Sequence, residues 1–252
     1  MPALKVSDIA AERLAALDAG TAQSSHLTEC LAVDFARLAG AAFPWLGRDV
    51  LDRVAAWRTL GISRRMAEMG RLLDHALPED AKAAVALHPS DTVRGWACFM
   101  VAARPGLDVA GRLAALRPLA DDPHFGVREW VWMAVRPHLA AELDRAVDLL
   151  APWTAEPSER LRRFASEALR PRGVWCAHIR ALRQDPSPGL RLLEPLRADP
   201  SRYVQDSVAN WLNDAAKDHP DWVRQVCGRW ADESPGPETR HIVKRATRSL
   251  RR

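Results

Sequence analysis

The stretch DPHFGVREWVWMAV, Asp122–Val135, recurs in outline as HPSDTVRGWACFMV from His88, EPSERLRRFASEAL from Glu156 and DPSRYVQDSVANWL from Asp199. All four share Pro, three variable residues, Val or Leu, then Arg or Gln. With Val93, Val127, Leu161 and Val204 as the common anchor, the spacings are 34, 34 and 43 residues. That is the range of helical solenoid repeats, and the longer third interval implies an insertion between Pro171 and Pro188. Each motif reads as a helix start: an acidic residue or His plus Pro forms the turn, and Ser158 or Ser201 caps exposed backbone donors. Val127, Trp130, Val131 and Ala134 then fall on one stripe, which makes Trp130 a core residue.

Amphipathic runs between the motifs supply the first helix of each pair: VAGRLAALRPLA from Val109, RAVDLLAPW from Arg145, GLRLLEPLRA from Gly189 and DWVRQVCGRWA from Asp221. TRHIVKRATRSL from Thr239 is a weaker fifth unit, and the N-terminal third carries helical runs near 7–18, 28–39, 48–59 and 62–76. The expected architecture is an all-α, HEAT-like repeat α-solenoid, a curved superhelix of helix pairs. It forms a single domain over 1–252, with 1–80 an atypical N-terminal helical cap and 81–252 the recognisable repeats.

Composition agrees with this class. The chain has 252 residues, 48% of them hydrophobic, with one Tyr and 13 Gly, and no alternating β-branched segment that would read as a strand. No stretch reaches the roughly 18 apolar residues of a membrane span, and MPALKVSDIAAERL is charged where a signal peptide is apolar, which points to the cytoplasm. Cys30, Cys98, Cys176 and Cys227 lie far apart, without a CxxC pair, and read as reduced core thiols. The net charge of +4 is mild. Basic residues nonetheless cluster at Arg160–Arg183 and at Arg240, Lys244, Arg245, Arg248, Arg251 and Arg252, as solvated faces or as contacts to an anionic partner.

Positions two, six and ten after the anchor lie one turn apart on a helix. They hold Glu129, Met133 and Pro137; Arg163, Glu167 and Pro171; and Asp206, Asn210 and Asp214. Carboxylates from three adjacent helices would thus face one groove. They are either ordinary solvated acids paired with arginines or a functional acidic centre. Trp175, closing the PRGVW connection, is either buried between repeats or exposed to stack on a flat group. There is no Walker loop, no GxGxxG after a strand, no HExxH and no GxSxG elbow, and the eight histidines have no metal-site spacing. Cys176 and His178, two residues apart, point to different sides of a helix.

VREWVWMAVRPHL, RLRRFASEALRPRGVW, YVQDSVANWLNDAAKDHPDWV and ISRRMAEMGRLLDHALPED together resemble the DNA alkylation-repair glycosylases of the AlkC and AlkD type, closer to the AlkC branch, over roughly 62–250. The resemblance implies base excision repair by hydrolysis of the N-glycosidic bond of cationic alkylated purines such as 3-methyladenine in duplex DNA. It implies no metal and no organic cofactor. It places Glu129, Glu167, Trp175 and Asp214 in the active site: Glu167 or Asp214 orients water, the other acids stabilise charge, and Trp175 walls the sugar or lesion. Arg94, Arg128, Arg162, Arg163, Arg172, Asn210, Lys244, Arg245 and Arg248 would contact DNA. Arg94, Arg128 and Arg162 share the position after the anchor, so structural salt bridges within the repeats are their competing explanation. The expected state is a monomer on alkylated double-stranded DNA, away from membranes. Alternatives are a non-catalytic HEAT-repeat protein for damaged or branched DNA, or a protein-binding HEAT adaptor.

Overall fold

The computed structural model of the protein describes residues 5–250. Arg251 and Arg252, counted in the basic C-terminal cluster, lie outside them. The fold is all-α and HEAT-like, with sixteen α-helices, short 3-10 turns and no strand among the described residues. No helix among those residues is long and apolar enough to cross a membrane. The anchors sit in helices Asp91–Ala103, Phe125–Ala141, Glu159–Glu167 and Arg202–Ala215, and the fifth unit is helix Pro237–Ala246. The insertion holds a loop and the short helix Arg180–Gln184. Several predicted runs are broken, two of them as follows. The 28–39 run divides into Leu27–Ala32 and Phe35–Ala42 because Asp34 turns to cap the second helix, accepting from Ala36 N at 2.9 Å and Arg37 N at 3.1 Å. GLRLLEPLRA is only a four-residue helix before a 3-10 turn containing Pro195.

One chemical device recurs at the repeat turns. The residue after each anchor donates back to the carbonyls five or six positions earlier: Arg94 to His88 and Pro89, Arg128 to Asp122 and Pro123, Arg162 to Glu156 and Pro157, and Gln205 to Asp199. Arg94 and Arg162 also grip the aspartate that opens the next motif, Asp122 at 2.8 Å and Asp199 at 2.6 Å. These side chains therefore satisfy turn carbonyls, and Arg94 and Arg162 in addition join successive repeats. Ser158 caps its helix as expected, accepting from Arg160 N at 3.2 Å. Ser201 does not cap; its hydroxyl turns to Glu159, while its own N–H donates to Asp199 at 2.8 Å.

The described residues form two compact units. The first contains those up to Gly106 together with Asp122–Ala134; the second contains Leu107–Asp121 and the residues from Val135 onward. In the first unit, helices Ile62–Ala76 and Asp91–Ala103 meet so closely that a Cβ on Gly70 would lie 2.6 Å from Met100 N. Trp96, Met66, Met69 and Trp130 fill its core, Trp130 taking the predicted buried place. In the second unit Trp211 fills the space beside Gly189, where a Cβ would come within 2.2 Å of the indole. Cys30, Cys98 and Cys227 are core thiols, but Cys176 is only half-buried.

Buried charge in the first unit sets an acid limit on stability. Glu29 accepts from Arg13 at 2.7 and 2.8 Å, and Arg13 outweighs burial to hold the carboxyl near a pKa of about 2, with help from the Ser25 N–H. Its folded value lies below the ordinary value of about 4.3, so the pair stabilises the fold above that pH and the benefit disappears as pH falls toward 2. Thermal unfolding from pH 7 to 3 should show a shallower acid decline in Glu29→Gln than in the wild type. Arg13→Ala, which strands the carboxylate, should cost about 3 kcal/mol at pH 7.

Candidate active site

Glu167 ends helix Glu159–Glu167 and Asp214 lies in the last turn of helix Arg202–Ala215. Both carboxylates therefore sit at the negative ends of helix dipoles, where a carboxylate is unfavourable unless a cation compensates. Arg170 is that cation. Its Nη1 donates to Glu167 Oε1 at 2.7 Å, while Nε and Nη2 donate to Asp214 Oδ2 at 3.0 and 2.8 Å. The two acids are thus held together by one guanidinium, 40-odd residues of chain apart, in the second unit. They are not solvated: Glu167 is 3% and Asp214 4% exposed.

The two carboxylates differ in what they have left to offer. Both oxygens of Glu167 are committed, Oε1 to Arg170 and Oε2 to Ser207 Oγ at 2.6 Å, with Arg163 at 3.6 Å. Ser207 is in turn 2.8 Å from Ser166 Oγ. Burial pushes the Glu167 carboxyl up, but Arg163, Arg170 and the Ser207 and Arg170 hydrogen bonds overcome it, so the group lies below the usual carboxylate range and is ionised at neutral pH. Asp214 Oδ1 has a looser partner, the ammonium of half-exposed Lys217 at 3.3 Å. Asp214 Oδ1 is therefore the least committed carboxylate oxygen of the pair.

Trp175 is carried on the loop after the Glu167 helix and is 47% exposed, so it is not buried between repeats. Its φ of 58° is the one left-handed value of a non-glycine among the described residues, a strain of about 1–2 kcal/mol. Successive carbonyls along the loop are each received by the protein: Ala168 and Arg170 by Arg136, Leu169 by Trp211 Nε1 at 3.0 Å, and Pro171 by Ile179 N at 3.0 Å. Arg172 donates to Asp218 at 2.7 Å beside Arg183, and these bonds, Arg183 first, hold the Asp218 carboxyl well below its ordinary range. The neighbouring Cys176 thiol is pushed up by burial and lies within the fields of Arg136, Arg170 and Glu167.

The remaining sequence-predicted residues divide as follows. Glu129 belongs to the first unit, where its carboxylate accepts from Trp132 Nε1 at 2.9 Å. Arg163 stacks over the Tyr203 ring at 4.4 Å. Asn210 accepts from Arg248 at 3.0 Å, Arg245 lies 3.1 Å from Asp206, and Lys244 is exposed. Sequence reasoning had no place for Arg136, Ser207 or the bridging role of Arg170. Arg170 was visible only as one member of a basic cluster, since nothing local in a chain marks a contact across 44 residues.

Residues 127–248 match the family model described as DNA alkylation repair enzyme. An uncharacterised Bacillus subtilis protein, YhaZ, is 44% identical over 117 residues, 46% of this chain and 32% of that protein. The Pseudomonas fluorescens alkylpurine DNA glycosylase AlkC, solved bound to DNA containing an abasic-site analogue, superposes with a TM-score of 0.69 at 29% identity, over 88% of this chain and 62% of its own. AlkD2 from Streptococcus mutans shares the fold, with a TM-score of 0.61 at 19% identity, over 78% of this chain and 97% of its own. The chain thus spans about a third of the Bacillus relative and under two thirds of the AlkC chain.

Proposed function

Because this chain belongs to the alkylation-repair family of the AlkC and AlkD type, we propose that it is a DNA glycosylase hydrolysing the N-glycosidic bond of cationic alkylated purines such as 3-methyladenine in duplex DNA. The observation that carries this reading is the pair of buried, Arg170-bridged carboxylates, Glu167 and Asp214. A purine methylated on N3 is already cationic. When C1′–N9 breaks, the bonding pair leaves with the base, which departs neutral and needs little acid assistance. What needs stabilising is the positive charge left on the sugar, and fixed carboxylates in a low-dielectric setting supply that.

Asp214 orients the water and takes its proton through Oδ1 as the water oxygen bonds to C1′. Glu167, with both oxygens committed, acts by charge alone. Trp175 walls the sugar or lesion. Arg163, Arg172, Asn210, Lys244, Arg245 and Arg248 hold the phosphate backbone, giving salt-sensitive affinity with little sequence preference. The protein works as a monomer in the cytoplasm.

Methylated duplex DNA incubated with excess protein should release free 3-methyladenine in a single-turnover assay. Binding that falls steeply with salt but releases no base would replace the glycosylase with a non-catalytic DNA-binding protein. Neither binding nor release would point to a protein-binding adaptor.

A further inference from the structure

We propose that Arg136 is a positioning residue for this reaction, the clamp that sets the pose of the Trp175 loop; the assignment rests on the glycosylase reading above. Arg136 is 2% exposed, and each of its three guanidinium nitrogens donates to a main-chain carbonyl: Nη1 to Ala168 at 2.9 Å, Nη2 to Arg170, and Nε to Ala177 at 3.2 Å. Two of these acceptors precede Trp175 and one follows it, so a single rigid group grips both ends of the loop. Burial lowers the pKa of this guanidinium, which shows how far it has been taken from water to make these bonds.

The loop requires such a clamp. Trp175 is half-exposed and in the left-handed region, a backbone state that persists only where surrounding contacts over-determine it. The turn folds tightly against the guanidinium: a Cβ on Gly173 would lie 3.3 Å from Arg136 Cζ and 2.2 Å from Cys176 Sγ. Arg136 also fixes the main chain of Arg170, the residue that bridges Glu167 and Asp214. The aromatic wall and the cation between the acids therefore both hang on one side chain that touches neither substrate nor carboxylate. A planar fork spreads its donors over three nitrogens and spans these separated carbonyls, whereas an ammonium's donors all radiate from one nitrogen.

The test uses Arg136→Lys, which keeps the charge, and Arg136→Gln, which keeps a donor, both in the full chain. The measurements are base release, DNA affinity and hydrogen exchange over residues 172–178. In whichever variant folds, kcat should fall about ten-fold with Kd within about two-fold, because the wall moves while Arg172, the phosphate contact on this loop, stays held by Asp218. Exchange over 172–178 should rise about ten-fold while helix Arg202–Ala215 is unchanged. The Arg136→Lys, Trp175→Ala double variant should lose no more than the larger of the two single losses. A wild-type kcat, unchanged exchange over 172–178, or additive losses in the double variant would overturn the proposal. If the wild-type protein releases no base, the glycosylase reading fails on its own and exchange alone decides whether Arg136 holds the loop. Failure of both variants to fold would reduce Arg136 to a structural staple and overturn its positioning role.

Discussion

Asp214→Asn should slow single-turnover release of 3-methyladenine by about 10² to 10³-fold while leaving DNA affinity nearly unchanged. The amide preserves the shape and can still accept from Arg170, which donates to Oδ2 at 2.8 and 3.0 Å. Removing one negative charge from the last turn of helix Arg202–Ala215 also relieves an unfavourable interaction with that helix's dipole, so the fold should persist. What the variant loses is the proton acceptor at Oδ1 and half of the acid pair's charge. Glu167→Gln is a poorer probe, because Glu167 faces two guanidinium groups and its loss leaves both Arg163 and Arg170 short of counter-charge, whereas in Asp214→Asn Arg170 keeps Glu167. Circular dichroism and a binding titration on the same preparation separate these outcomes. Full activity in Asp214→Asn would remove Asp214 from the mechanism.

The parts of the fold that were legible in the sequence were those with a local period. Pro at each turn and an apolar residue every three or four positions placed the Val93, Val127, Leu161 and Val204 helices, because helix starts and stripes are written within about twenty residues. The arginine after the anchor was legible as a pattern. Its carbonyl partners lie five and six residues back, inside the same repeat, and spacing alone does not reveal them. Interruptions were harder: Asp34 caps a new helix inside one apolar run, and Asp199 receives the Ser201 N–H while the Ser201 hydroxyl turns away.

The site was legible in its ingredients and not in its wiring. Glu167 and Asp214 appeared as members of a helical face, yet an amphipathic pattern predicts exposed acids, and both are buried. The cause is Arg170, whose position three residues after Glu167 puts it in reach of that carboxylate, while its reach to Asp214 depends on the neighbouring repeat. Trp175 was placed correctly only as an alternative: exposure and left-handed backbone are set by Arg136, 39 residues upstream, through main-chain carbonyls that no side-chain pattern records.

Arg170→Met is the substitution expected to destabilise the protein most. The methionine is of similar length and fills much of the space, so the loss is mainly electrostatic. Two carboxylates at two helix C-termini would remain in the interior, Glu167 with Arg163 at 3.6 Å and Asp214 with Lys217 at 3.3 Å. Stranding buried charge in this way costs about 3–5 kcal/mol at pH 7, or a fall in Tm of about 10 °C for a chain of this size. The sign of the pH dependence distinguishes this cause from lost packing. In the wild type the folded Glu167 carboxyl lies below its unfolded value of about 4.3, so its contribution is present above that pH and is lost as pH falls through the folded value. Without Arg170, burial is opposed only by Arg163 and the Ser207 hydrogen bond, so the folded value rises. The variant then loses less on protonation than the wild type does, and the stability gap should narrow as pH falls from 7 to 3. Urea unfolding at a series of pH values measures that gap directly. A gap that stays constant across the range would mean that Arg170 contributes packing alone and that the two carboxylates do not depend on it for their charge.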